Sequence, residues 1–181
     1  NIWDWAIKRS GPLRSIVIAA FLAAFILSIS GNIFYMNNYY QKINPMRYLS
    51  GMETRDEFIA RHISSYDAMQ YLNAHAPDNA SIRLIFLAGR GYYLDRKYSE
   101  GTSYGMGDVR GLAARVEDKE SFQTYLQSLN CTHFLVRNDL LEKFLNDNYS
   151  SHMRQLFIRR INESMDVVYD KGGYTILRIL P

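Results

Sequence analysis

The longest apolar run of the chain covers residues 15–35 and contains no charged side chain. At about 1.5 Å per residue, a helix of this length matches a hydrocarbon core of about 30 Å. The run is longer than the apolar core of a signal peptide, and no small-residue cleavage site follows it closely. The pattern therefore predicts a transmembrane helix over residues 15–35. The alternative interpretation is a buried hairpin inside the core of a large soluble protein.

The residues on either side of this run predict its orientation. Aromatic residues flank both ends, as in the interfacial belts of membrane proteins. Before the run come Trp3, Trp5, Lys8, Arg9 and Arg14, and after it come Tyr35, Tyr39, Tyr40 and Lys42. The excess of cations on the N-terminal side predicts that residues 1–14 are cytoplasmic. Because the chain begins with Asn1 rather than Met, we expect this segment to be a loop entered from an earlier span.

A polar, aromatic linker is predicted over residues 36–52, and it leads into a domain that covers residues 53–181. Thr54 and Glu57 have the spacing of a capping box, and they predict the start of a helix that continues to Pro77. Residues 82–87 are apolar apart from Arg83, which predicts a central strand that is covered on both faces. Residues 90–111 are rich in glycine and tyrosine and predict a long ordered loop with a short helix near its end.

The second half of the domain again alternates between segments with the apolar spacing of a helix and short apolar runs typical of a strand. Helices are predicted over residues 118–129, from Asp139 to Leu145 and around residues 153–161, with a buried strand at 133–137. Gly172 and Gly173 separate two short apolar runs, which indicates a β-hairpin. The whole pattern predicts the α/β class: one N-terminal transmembrane helix, then a compact α/β domain with a mixed sheet and a terminal β-hairpin.

Charge and cysteine content exclude several functional classes. The chain has 21 Lys+Arg and 18 Asp+Glu, and removing the four cations and Asp4 that precede Pro45 leaves 17 of each sign in the remainder. These charges are evenly interleaved, so a nucleic-acid partner is not expected. Cys131 is the only cysteine, which excludes an intrachain disulfide. The four histidines are scattered without ligand-like spacing, and we expect neither a metal site nor a cofactor.

The clearest candidate binding segment follows the first predicted strand, where α/β sheets place their ligand crevices. The candidate residues are Arg90, Tyr92, Tyr93, Asp95, Arg96 and Tyr98. The two guanidinium groups suit a phosphate or carboxylate, and the tyrosine rings suit the face of a sugar. The alternative is a structural loop whose tyrosines pack on the domain and whose aspartate pairs with an arginine.

No catalytic residue is predicted in this domain. Asp56 and Glu57 are adjacent carboxylates, but their place in the first turn of a helix favours a capping role. Asp95, Glu100 and Asp108 lie too far apart, in a loop of unknown path, to define a catalytic pair. The two Gly-x-Gly triplets do not open a predicted helix with dinucleotide-binding spacing.

Several short motifs, in order along most of the chain from Asn44, resemble one family of membrane enzymes. Asn44-Pro45-Met46 runs through Tyr48-Leu49 and Gly51 into residues 54–58, and further matches lie within residues 66–80, 86–98, 132–136 and 168–176. This arrangement resembles the region after the last membrane span in bacterial GT-C glycosyltransferases. These multi-span enzymes are related to dolichyl-phosphate-mannose protein mannosyltransferases and to the lipid A aminoarabinose transferase.

The resemblance implies a parent enzyme of the plasma (inner) membrane that transfers a sugar from a polyprenyl-phosphate carrier. The catalytic acidic residues of this family lie in the first extramembrane loop, which this chain lacks, so no catalytic role transfers to any position here. The implied role of the C-terminal domain, on the periplasmic or extracellular side, is to cap the membrane site or recognise the acceptor. Its implied partners are the lipid bilayer, the remaining transmembrane part of the polypeptide, and a lipid-linked sugar with its acceptor. The alternative is a single-span membrane-anchored extracytoplasmic domain that serves as a binding module or sensor.

Overall fold

The computed structural model of the protein describes residues 12–180, which divide into two compact units between Phe58 and Ile59. The first unit is dominated by helix α1, Pro12–Ile43, and it also holds the one-turn helix α2, Met46–Leu49. Between Ser15 and Ile43, α1 is long and apolar enough to cross a membrane, with a mean hydropathy of 2.3 and none of its most apolar window buried. The predicted orientation of residues 1–14 concerns residues that are almost all outside the described part of the chain.

Helix α1 is longer than the predicted span, and it extends through the first half of the predicted linker. At about 1.5 Å per residue its 32 residues measure about 48 Å, well over the thickness of a hydrocarbon core. The helix stops where Asn44 adopts a positive φ of 46° before Pro45. A residue that precedes proline is disfavoured in the helical region, which explains why the helix ends here and not at Tyr35.

The capping box is confirmed, but the single helix predicted behind it is wrong. The Thr54 amide donates to the Glu57 carboxylate at 2.8 Å, and the Glu57 amide donates to Thr54 Oγ1 at 3.2 Å. The chain then forms two helices, α3 at Arg55–His62 and α4 at Tyr66–His75. The break falls at two serines, and Ser64 Oγ lies 2.9 Å from the hydroxyl of Tyr174. A tertiary hydrogen bond therefore holds the non-helical turn.

The second unit is built on a five-stranded mixed sheet with the order β2-β1-β3-β5-β4. The strands are β1 Ser81–Ile85, β2 Lys97–Glu100, β3 His133–Arg137, β4 Met165–Lys171 and β5 Tyr174–Ile179. Strand β1 pairs in parallel with β2 and β3, whereas β5 runs antiparallel to both β3 and β4. The α/β class, the mixed sheet and the terminal hairpin are all as predicted. The hairpin turns at Gly172 and Gly173, whose φ angles of 66° and 81° suit a turn that needs two left-handed residues.

Strand β2 lies inside the segment predicted to be a loop. It is a four-residue edge strand that carries no run of apolar side chains, so its sequence lacks the usual signature. Its structure depends on pairing with β1, in the register Ser81 to Lys97 through Leu84 to Glu100.

Four helices complete the second unit: α5 Met106–Ala113, α6 Lys119–Ser128, α7 Asn138–Asn148 and α8 Ser151–Ser164. Asp118 caps α6 by accepting hydrogen bonds from the amides of Glu120 and Ser121. Helix α7 begins directly after β3 and extends three residues beyond the predicted end at Leu145. These helices and their predicted counterparts therefore agree in existence and order.

The sheet is covered on both faces, as predicted for its central strand. Ile85, Phe134 and Val136 contribute to a core that includes residues from α5, α6, α7 and α8. Ile82, Leu84 and Leu135 contribute to a second core that includes residues from α4. Because neighbouring residues of a strand point to opposite faces, β1 and β3 supply both cores.

Candidate functional site

The candidate site lies at the carboxyl ends of the parallel strands. Residues 86–96 lead from β1 to β2, which is the neighbour of β1 on one side. Strand β3 is the neighbour of β1 on the other side, and the chain continues from β3 towards β4 and β5, away from β2. Connections that leave adjacent parallel strands in opposite directions create the position where open α/β sheets bind ligands. We refer to residues 86–96 and residues 101–105 together as the carboxyl-edge loops, because they begin at the carboxyl ends of β1 and β2. Residues 86–96 then cross to the amino edge of the sheet, where β2 starts in parallel with β1.

The carboxyl-edge loops are bonded to each other. The Phe86 amide donates to the Tyr104 carbonyl at 2.8 Å, and the Gly89 amide donates to the Glu100 carboxylate. Phe86, Ala88, Ser103 and Tyr104 all have positive φ angles, between 51° and 64°. Such conformations cost free energy in residues other than glycine, and they persist only where the surrounding structure enforces them. The loops are thus held in one conformation before any ligand arrives.

Three of the predicted binding residues lie within residues 86–96, the first of the two carboxyl-edge loops. Together they form an aromatic and cationic surface. Arg90 is exposed, and its side chain makes no hydrogen bond or ion pair within residues 12–180. Tyr92 is 61% exposed, and its ring centroid lies 4.7 Å from that of Tyr93. Tyr93 in turn packs edge-on against Tyr66 at 5.1 Å. Arg90 and Tyr92 are available to a ligand, whereas Tyr93 mainly supports Tyr92.

Arg96 and Asp95 have local structural roles instead. The Arg96 guanidinium donates to the carbonyls of Asn73 and Ala76 at 3.1 to 3.2 Å and pairs with Asp78 at 3.1 Å. A cation that bonds the last carbonyls of a helix stabilises its C-terminus, here that of α4. The Asp95 amide donates to the Asn73 side chain at 2.8 Å. Arg96 is therefore not brought together with Arg90 as a pair of anion ligands.

Tyr98 lies on β2 and packs over the first loop. A Cβ atom added to Gly91 would lie 2.5 Å from the Tyr98 ring, so a larger residue here would have to displace that ring. The ring remains 40% exposed. Tyr98 thus stays in the candidate surface, where it also fixes the path of the loop.

An ion pair beneath the second loop was missed by the sequence analysis. Arg83 of β1 donates from Nε and Nη2 to the two carboxylate oxygens of Asp108 in α5, at 2.7 and 2.9 Å. Its Nη1 donates to Ser99 of β2 at 3.1 Å, and the bonding to Asp108 raises the pKa of Arg83. A Cβ added to Gly101 would overlap the Asp108 carboxylate. The sequence contains a hint of this pair, because Arg83 is a charged residue inside an otherwise apolar strand.

Within residues 12–180, no group of three or more His, Cys, Asp or Glu residues is placed to hold a metal ion. Burial raises the pKa of the Cys131 thiol to about 11, so it carries little thiolate at neutral pH. Glu57, one of the two adjacent carboxylates, is used in the capping box.

The sequence was also compared with known proteins. No protein-family model matches the chain, and no match to it is found among curated proteins.

Proposed function

We propose that this chain is the last membrane span and the extracytoplasmic domain of a GT-C-type glycosyltransferase that transfers a sugar from a polyprenyl-phosphate carrier. One observation carries the proposal: an exposed apolar helix long enough to cross a bilayer is joined in one chain to a separate α/β unit. The motifs that resemble this enzyme family support it. In this proposal the domain recognises the acceptor or caps the active site, and catalysis belongs to the membrane part of the polypeptide.

The distribution of charge supports the proposed orientation. Lys8, Arg9 and Arg14 precede the apolar run, and Lys42 is the nearest cation after it. Cytoplasmic segments next to membrane spans carry the excess of lysine and arginine. The α/β unit then lies on the periplasmic or extracellular side of the plasma (inner) membrane.

The carboxyl-edge loops supply the proposed contact surface. Arg90 offers a guanidinium that has no partner within residues 12–180, and Tyr92 and Tyr104 are exposed by about 60%. Guanidinium donors match the paired oxygens of a phosphate or carboxylate, and the flat rings can lie against a sugar. Because the loops are already fixed, little conformational entropy is lost on binding.

A topology experiment tests the location. In a Cys131→Ser background, a single cysteine is introduced at Asn79, which is exposed, or at Ser10. A membrane-impermeant maleimide should label Asn79→Cys in intact spheroplasts and label Ser10→Cys only after the membrane is opened. The reverse labelling pattern would contradict the proposed orientation.

A transfer assay tests the activity. The full-length polypeptide that contains this chain is assayed in membranes for sugar transfer from a polyprenyl-phosphate-linked donor, with Arg90→Ala combined with Tyr92→Ala. We expect transfer to fall at least about tenfold, which corresponds to about 1.4 kcal/mol. The matched control is Arg159→Ala on α8, an exposed arginine outside the carboxyl-edge loops. Stable membrane insertion without any sugar transfer would favour the single-span binding or sensor domain instead.

A further inference from the structure

A cleft opens at the amino ends of β1 and β3. This edge of the sheet is opposite the one where the carboxyl-edge loops begin. The volume of the cleft is about 490 Å³, within the range of about 300 to 1,000 Å³ that is typical of small-molecule sites. It lies between the C-terminal part of α4, the start of β3 and the end of β5. We call it the His133 cleft after the residue that gives it its chemistry.

His133 is held in one orientation at the wall of the cleft. It is 6% exposed, and its Nδ1 lies 2.8 Å from Thr132 Oγ1. The Thr132 hydroxyl also accepts from the Ser81 amide and can donate to the Ser81 carbonyl, both at 3.1 Å. The Ser81 carbonyl also accepts from the Thr132 amide at 2.8 Å, so the Thr132 hydroxyl can give its one proton to Ser81 or to His133 Nδ1. In either tautomer this contact fixes the plane of the histidine ring.

The second ring nitrogen of His133 is available to a ligand. Nε2 makes no hydrogen bond within residues 12–180. No buried side-chain nitrogen or oxygen in this part of the chain lacks a partner, so Nε2 must be reached by solvent. Burial and the nearby Arg178 lower the pKa of His133, which keeps the ring neutral at pH 7. The cleft therefore presents an uncharged imidazole nitrogen, which donates or accepts a hydrogen bond according to the ring tautomer.

Arg178 supplies donors beside this acceptor. It lies directly opposite His133 in the antiparallel pairing of β3 with β5. Its Nη2 donates to Asp166 at 2.9 Å, while its other guanidinium hydrogens have no partner in the described chain. The side chain is 55% exposed. An uncharged imidazole nitrogen and a fork of donors thus stand side by side across two strands.

The other lining residues select against charged ligands. Within residues 12–180 no carboxylate lines the cleft, so a cation finds no counter-charge from them. An anion would meet an uncharged imidazole and a guanidinium that is already paired with Asp166. The remaining wall is apolar and aromatic, formed by Leu72, Ala76, Pro77, Val168 and Tyr71, whose ring stacks on that of His75 at 4.2 Å.

We propose that the His133 cleft binds an uncharged hydroxylated ring, of the chemical class of a sugar or a cyclic polyol. A ligand hydroxyl, which can both donate and accept, bonds to His133 Nε2, a neighbouring hydroxyl accepts from Arg178, and the C–H face of the ring packs on the apolar wall. This inference goes beyond the proposed function and does not depend on it, because it uses only residues of the cleft.

The test is a binding measurement on the full chain in nanodiscs, since many detergents carry sugar headgroups. The probes are methyl α-D-mannopyranoside, methyl β-D-glucopyranoside and myo-inositol, followed by saturation-transfer NMR and by the ring resonances of His133. We expect at least one probe to bind at millimolar concentration, and Arg178→Met and His133→Asn each to weaken it at least about tenfold. Arg159→Met is the matched control, because it removes a paired arginine outside the cleft, and it should leave binding unchanged.

Three results would overturn the proposal. The first is that no probe binds or shifts the His133 resonances at tens of millimolar. The second is that Arg178→Met binds every probe as well as the wild type does; this variant changes an exposed side chain, so it remains informative even if His133→Asn fails to fold. The third is that inorganic phosphate displaces the probes and binds more tightly than they do. Each of these results leaves the transfer assay on Arg90 and Tyr92 unaffected.

Discussion

Arg83 and Asp108 form a bidentate ion pair that joins strand β1 of the sheet to helix α5. The two N···O distances are 2.7 and 2.9 Å, and the side chains are only 17% and 6% exposed. The pair lies where the chain leaves β2 and enters α5, directly against Gly101. It thus links the second carboxyl-edge loop to the strand that begins the first loop.

Removing Arg83 should destabilise the protein far more than removing an exposed arginine. Arg83→Met leaves the Asp108 carboxylate buried without a partner, and we expect a loss of about 3 to 5 kcal/mol in the free energy of unfolding. Urea denaturation of the chain in nanodiscs measures it. The matched control is Arg137→Met, because Arg137 makes a similar bidentate pair with the exposed Asp139. That pair should be worth less than about 1 kcal/mol, and equal losses in the two variants would contradict this interpretation.

Gly105 should tolerate alanine poorly. Its φ angle is 92°, and an added Cβ would lie 2.9 Å from the Cα of Ile85. Gly105→Ala therefore combines a left-handed backbone, which costs about 1 to 2 kcal/mol, with a clash against the backbone of β1. Gly172→Ala is the control, since that glycine has a φ of 66° but no atom within 4 Å of the added Cβ. The unfolding midpoint should fall clearly further for Gly105→Ala, and the reverse order would show that the loop moves freely away from β1.

His133 should make stability depend on pH in the window between its lowered pKa in the folded chain and its ordinary pKa in the unfolded chain. Burial lowers the pKa of His133 in the folded chain, with a contribution from Arg178, so the unfolded chain, with a pKa of about 6.5, binds more protons in this window. Stability should therefore decrease as the pH falls below about 6.5 and level off below the folded pKa. His133→Asn should be less stable at neutral pH but should show a flatter profile. Parallel profiles for the two proteins would assign the pH dependence to other groups.

Substitutions of Arg96 and Arg90 should differ in their effect on the free energy of unfolding, because Arg96 has a structural role and Arg90 is proposed to bind a ligand. Arg96→Met removes charged hydrogen bonds to the last carbonyls of α4, and we expect it to lower the free energy of unfolding by about 2 kcal/mol. Arg90→Met changes an exposed side chain without a partner in the described residues, and its effect should stay within about 0.5 kcal/mol. Thermal unfolding of both variants measures the difference. A larger loss for Arg90→Met would mean that Arg90 is structural and would remove it from the candidate surface.

Local sequence patterns were sufficient to predict several structural features of this chain. The apolar run from Ser15 predicted a long helix because apolar length alone sets the requirement for crossing a bilayer. The capping box at Thr54 and the glycine pair at Gly172 also appear as predicted, since both motifs act through bonds or backbone angles within a few residues. The α/β class and the terminal hairpin followed from the order of such local patterns.

Contacts between residues distant in sequence decided the rest. The edge strand β2 exists because β1 offers its backbone, and the break before α4 persists because Ser64 reaches Tyr174. Arg90 and Arg96 are both arginines of one short segment, yet only the packing against α4 makes Arg96 structural. His133 and Arg178 are 45 residues apart, and strand register alone places them side by side. The sequence by itself determined the apolar helix, the fold class and the local motifs, because these depend on neighbouring residues. The tertiary structure decided which polar side chains are free to bind, because that depends on the partners that folding provides.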